Sequence, residues 1–104
     1  MQLGKTIEIE GKKYTMATSD FLRPDNNKLY FYYDWQEKTF TDRGQAHFNV
    51  INAHADFAVV DWVAARYHCK QRGRFCELLS DDPVALIQAM LAVYAWCEMK
   101  EWLK

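Results

Sequence analysis

His54, His68, Cys69 and Cys76 are the residues of this chain whose chemistry best suits a metal ion. A structural zinc site takes four such ligands, and they come in short pairs such as Cys-x2-Cys. Here His68 and Cys69 are adjacent and would diverge on a helix. No Cys-x2-Cys or His-x3-His pair occurs. The expectation is no metal site and no cofactor, with Cys76 and Cys97 serving as small core hydrophobes. His47, His54, Asp61 and His68 recur every seven residues, but seven residues along a helix span roughly 10.5 Å. That is too far for one ion or one proton relay, so the spacing describes a solvent-facing stripe. It is also doubtful that His47 lies on that helix.

Cys69 is the candidate nucleophile. Arg66, His68, Lys70, Arg72 and Arg74 surround it in sequence, and cations lower a thiol's pKa. Its place near a helix C-terminus works the other way, because the dipole there disfavours an anion. There is no nucleophile elbow, no glycine-rich phosphate loop, and only 4 glycines in all. The expectation is therefore a protein that is not an enzyme. The run from Arg66 to Arg74 also carries four cations and no acid. Arg66, Lys70, Arg72 and Arg74 could bind a phosphate or an acidic surface, or they could simply complement a helix C-terminus.

Aromatic residues make up 15% of the chain. That is more than the core of one small domain demands, and it suggests surface left over for a partner. Tyr30 and Tyr32 are the first candidates, because they fall opposite Leu29, Phe31, Tyr33 and Trp35 on the strongest strand, Lys28 to Trp35. Tyrosine is enriched at interfaces. Stacking on bases is the other use of such a face, and it normally comes with a basic sheet.

The elements that must position these residues follow from period and punctuation. Lys5 to Glu10 and Lys13 to Thr18 alternate polar and apolar around Gly11, which predicts a β-hairpin. Ser19 to Asn27 reads as a loop. Lys38 to Asp42 reads as a short strand after a turn at Gln36-Glu37. Beyond Gly44 the pattern lengthens: Asn52 to Gln71 predicts one helix, capped by Asn49, Asn52 or Asp56 and stopped by Gly73. Ser80-Asp81-Asp82-Pro83 predicts a second helix, from about Pro83 to about Leu103. Between Val84 and Cys97 only Gln88 is clearly polar, so this helix is apolar nearly all round. It falls short of the roughly 20 apolar residues of a membrane span. It is expected to be buried on more than one side, by the domain itself, by a second copy or by another partner, with Trp96 and Trp102 as exposed anchors.

The length of 104 residues allows one domain. The expected class is α+β: a small antiparallel sheet of three or four strands, in the order β-β-β-β-α-α, packed on two C-terminal helices. A formal charge of −1 argues against a general nucleic-acid binder. The 3 cysteines, with no signal-peptide pattern at the N-terminus, predict free thiols and a cytoplasmic protein. The function class expected is a protein-interaction module, an inhibitor or adaptor of the kind that phages and mobile elements direct at a host system. Tyr30, Tyr32, Trp96 and Trp102 would make its contacts. The alternative is a nucleic-acid or nucleotide binder using the basic run.

Overall fold

Glu10 and Gly11 both take left-handed backbone angles, the geometry of a two-residue hairpin turn whose twist matches its strands. They join β1 (Gln2–Ile9) to β2 (Lys12–Leu22), with Ile9 paired to Lys12. Leu3 pairs with Ala17 and Thr6 with Thr15, so Gly4 and Lys5 together face Met16. This β-bulge lies in an edge strand, where it discourages further pairing. β3 (Lys28–Asp34) and β4 (Thr39–Thr41) continue the antiparallel order. The Asp34 carboxylate accepts the N–H groups of Gln36 and Glu37 and shapes the turn between them. The computed structural model describes residues 1–102, with side chains through Lys100.

After β4 come α1 (Gln45–Asn52), α2 (Ala58–Arg66), β5 (Lys70–Arg72), β6 (Glu77–Ser80) and α3 (Pro83–Trp102). The architecture is α+β, with three helices and one six-stranded antiparallel sheet in the order β1-β2-β3-β4-β6-β5. The class agrees with the expectation, while the expected strand and helix numbers are too low. Of the single helix predicted over Asn52 to Gln71, only Ala58–Arg66 forms one helix (α2), while Asn52 ends α1 and Lys70 and Gln71 belong to β5. His54 and His68 both turn left-handed, a conformation that histidine tolerates better than most side chains, and each ends a helix. Asp56 accepts the N–H of Ala58 and starts α2. Gly73 lies in the turn between β5 and β6 and does not cap a helix. The expected loop from Ser19 is β-strand through Leu22, and His47 lies on α1, not on the helix that carries Asp61, as expected.

Asp42 joins the two halves of the chain. It is fully buried. One carboxylate oxygen accepts N–H groups from Gly44 and Leu78, and the other accepts from Ala46. A single side chain thus caps the start of α1 and ties it to β6. Burial pushes its pKa up to about 6, against the pull of the three N–H donors.

The core lies between α3 and one face of the sheet. Ala17, Leu29, Phe31 and Leu78 point from the sheet onto Leu86, Met90 and Val93. α1 adds Ala46 and Val50, and α2 adds Val60 and Val63. The buried residues of α3 fall on one arc of about half its circumference, facing the sheet, α1 and α2. The chain by itself thus does not bury this helix on more than one side, as its apolar sequence suggests it should. Val84, Trp96 and Met99 remain exposed. Leu29 and Phe31 face this core as expected. Tyr33 is only half-buried, and Trp35 is half-exposed, donating its indole N–H to Thr15 Oγ1. The strand leaves the core before it reaches them. No helix among the described residues is long and apolar enough to cross a membrane.

Candidate functional site

His47 lies in α1, His54 between α1 and α2, Asp61 in α2, and His68 just beyond it. The seven-residue stripe is thus spread over two helices and two turns. Among the described residues no three His, Cys, Asp or Glu side chains gather to hold a metal. The Cys69 thiol is half-buried, and burial raises its pKa, with the Asp42 and Asp82 charges adding to the effect. A nucleophilic thiol needs the opposite shift. Burial also raises the Cys97 thiol. All three cysteines are unpaired. Titration of the unfolded chain without reductant should find three thiols, and in the native protein Cys97 should react slowest. Finding one thiol would mean an internal disulfide.

The basic run is divided among several elements. Arg66 ends α2, Lys70 and Arg72 lie on β5, and Arg74 sits in the following turn. Arg72 is an internal counter-ion: its guanidinium reaches Asp34 at 3.3 Å, Glu77 at 3.2 Å and Glu37 at 4.0 Å. Asp34 is 0% exposed. Partial burial works against the charge on Arg72, but its hydrogen bonds and attraction to Glu77 and Asp34 prevail and raise its pKa. The Thr41 hydroxyl donates to Glu77 beside them. Lys70 lines a polar cleft of about 380 Å³ that it shares with His68, Arg72, Glu37 and Asp81. The carboxylates there offset most of the positive charge.

Tyr30 and Tyr32 lie on the sheet face turned away from α3, and both are half-buried. With Tyr14 they form a row of edge-to-face rings, Tyr14 to Tyr32 at 6.2 Å and Tyr32 to Tyr30 at 6.0 Å. Arg43 covers the Tyr14 ring and Arg23 covers the Tyr30 ring. Burial raises the Tyr32 hydroxyl pKa. These rings are already engaged by neighbours of their own chain.

The helical side of the molecule carries a different surface, which the sequence does not signal. Phe57 stacks on His47 at 4.9 Å, and Phe48 stacks on Phe75 at 5.1 Å. His47 bridges the two pairs, 6.2 Å from Phe75. The three phenylalanines are about half-exposed, while His47 is 9% exposed and its Nδ1 has no hydrogen-bond partner. Gly44 makes room for them: a Cβ there would lie 3.2 Å from that of Phe75, at a backbone angle only glycine adopts easily. Next to Phe57 in the chain, Asp56 and Ala58 line a groove of about 400 Å³ between α2 and α3, together with Val59, Trp62 and Trp96. Trp62 is 67% exposed and Trp96 50%. Trp96 is thus placed as the sequence suggests, while the Trp102 side chain lies outside the described residues.

Comparison with protein-family models, curated proteins and solved structures finds no match.

The geometry on the helical side suits binding. Half-exposed phenylalanine and tryptophan rings offer apolar area at low conformational cost. Phe48 and Trp62 are carried by α1 and α2, which pack on the buried face of α3, and Trp96 by α3 itself.

Proposed function

We propose that this chain is a non-enzymatic protein-interaction module, an inhibitor or adaptor that covers a surface of another protein. The observation that carries this reading is the set of half-exposed aromatic side chains on the helical side: Phe48 of α1, Phe57 just before α2, Trp62 of α2, Phe75 in the turn between β5 and β6, and Trp96 of α3. Aromatic residues dominate the energetic centres of protein interfaces, and exposed rings that cluster, as Phe48, Phe57 and Phe75 do around His47, mark such centres.

Two features weigh against the rival readings. Arg72 is held by carboxylates of its own chain, which weakens the basic run as a nucleic-acid surface. Burial raises the Cys69 pKa, which works against a thiolate nucleophile. An accessory protein of a phage or mobile element, acting in the host cytoplasm, is a setting that suits such a module.

The test is capture from a lysate of the native cell on immobilised protein, with and without nuclease. A stoichiometric protein partner should survive nuclease. The Phe48→Ala/Phe75→Ala variant should bind that partner at least about tenfold more weakly, the effect of losing about 1.4 kcal/mol of anchor energy, and should stay folded. Retention of nucleic acid, lost on nuclease treatment together with any protein, would establish the basic-run reading instead. A self-associated species seen by light scattering, dissociated by Trp96→Asp, would make the partner a second copy.

A further inference from the structure

We propose that the groove between α2 and α3 receives a cationic side chain, lysine or arginine, from the partner protein. The inference rests on the interaction-module reading and gives that partner its chemistry. Trp62 and Trp96 line the groove, Ala58 and Val59 supply apolar wall, and Asp56 supplies a carboxylate. A lysine or arginine side chain has the complementary make-up, a long apolar stem ending in a charge. Tryptophan is the ring that attracts a cation most strongly.

The chain already uses this chemistry elsewhere on its own surface. Lys13 lies over Trp35, Arg23 over Tyr30 and Arg43 over Tyr14. Among the described residues no cation lies over Trp62 or Trp96, and none pairs with Asp56. One oxygen of Asp56 accepts the Ala58 N–H at 2.9 Å, and the residue is exposed at the edge of the groove. Asp61, in the first turn of α2, is exposed but lies outside the groove lining. The full negative charge of Asp56 exceeds the roughly half positive charge of the helix N-terminus, so that end of the groove attracts cations. A neutral apolar side chain would fill the same space, but it would take water from Asp56 and return no partner.

The test uses the full chain labelled with ¹⁵N, with the four indole N–H signals assigned by Trp→Phe variants. Two probes are titrated, Nα-acetyl-lysine amide and its neutral analogue Nα-acetyl-norleucine amide, which keeps the carbon stem and lacks the ammonium group. The lysine probe should move the Trp62 and Trp96 signals saturably and leave Trp35, already covered by Lys13, in place. The norleucine probe should bind at least threefold more weakly. Asp56→Asn keeps a side-chain oxygen for the Ala58 N–H and removes the charge. It should remove the preference for lysine without changing norleucine binding. Equal binding of the two probes, or a preference that survives Asp56→Asn, would overturn the cation site. Indole signals that move with neither probe, or that move on dilution alone because a second copy fills the groove, would overturn it too. None of these results bears on capture through Phe48 and Phe75, which tests the interaction-module reading separately.

Discussion

Asp42→Ala should remove about 4 kcal/mol of stability, a large share of the roughly 5–15 kcal/mol available to a domain of this size. The substitution strips the acceptors from three N–H groups, those of Gly44, Ala46 and Leu78. All three lie where water cannot replace the carboxylate, and each unpaired buried donor costs about 1–3 kcal/mol. Urea unfolding at pH 7 measures the loss. A change below about 1 kcal/mol would mean that α1 and β6 are held together without Asp42.

The same residue gives the protein a pH dependence with a definite sign. An unfolded aspartate loses its proton near pH 4, while buried Asp42 keeps its proton up to about pH 6. Between those values the folded state holds more protons than the unfolded state. The stability contributed by protonation at Asp42 is therefore complete below about pH 4 and is lost as pH rises through about 6. The slope amounts to at most about 1.4 kcal/mol per pH unit. Asp42→Asn cannot ionise, so its stability should fall less steeply than that of the natural chain over this range. Parallel curves for the two proteins would show that the carboxylate ionises as easily inside the fold as outside it.

Arg72→Met should cost about 3 kcal/mol, because it keeps the apolar stem but leaves the buried Asp34 carboxylate without its cation. Asp34→Asn retains an oxygen for the Gln36 and Glu37 N–H groups while removing the charge. The double variant Arg72→Met/Asp34→Asn should be at least about 1 kcal/mol more stable than the sum of the single losses predicts. Strict additivity would mean that Arg72 acts through Glu77 or its stem alone. The loss should also persist at high salt, since a buried pair is poorly screened.

These predictions concern residues whose roles were differently legible beforehand. Gly11 marks its hairpin and Lys28 to Asp34 its strand. Ser80 to Pro83 marks the start of α3, where Asp82 accepts the Val84 N–H. The apolar circumference of α3 announces its central place. Each of these signals lies within one turn or one strand, so local geometry is enough to express it. By contrast, Lys70–Arg72 and Glu77–Ser80 carry no alternation long enough to read. They become strands because β6 finds an edge at β4, more than thirty residues earlier in the chain. Arg72 reads as part of a basic run until the sheet sets it over Asp34, 38 residues away.

The binding surface divides in the same way. The excess of aromatic residues is a property of the sequence, and so is the surplus of apolar surface on α3 that leaves Trp96 exposed. Which rings meet is a property of the tertiary structure. Phe48, Phe57 and Phe75 come from a helix, an interhelical turn and a hairpin turn, and they have no common period. His47 collects them only because Asp42 fixes where α1 begins and Gly44 leaves room for Phe75. Turns and caps are decided by contacts a few residues apart, and the sequence displays them directly. A surface assembled from separate segments depends on which faces pack together, and only the folded chain decides that.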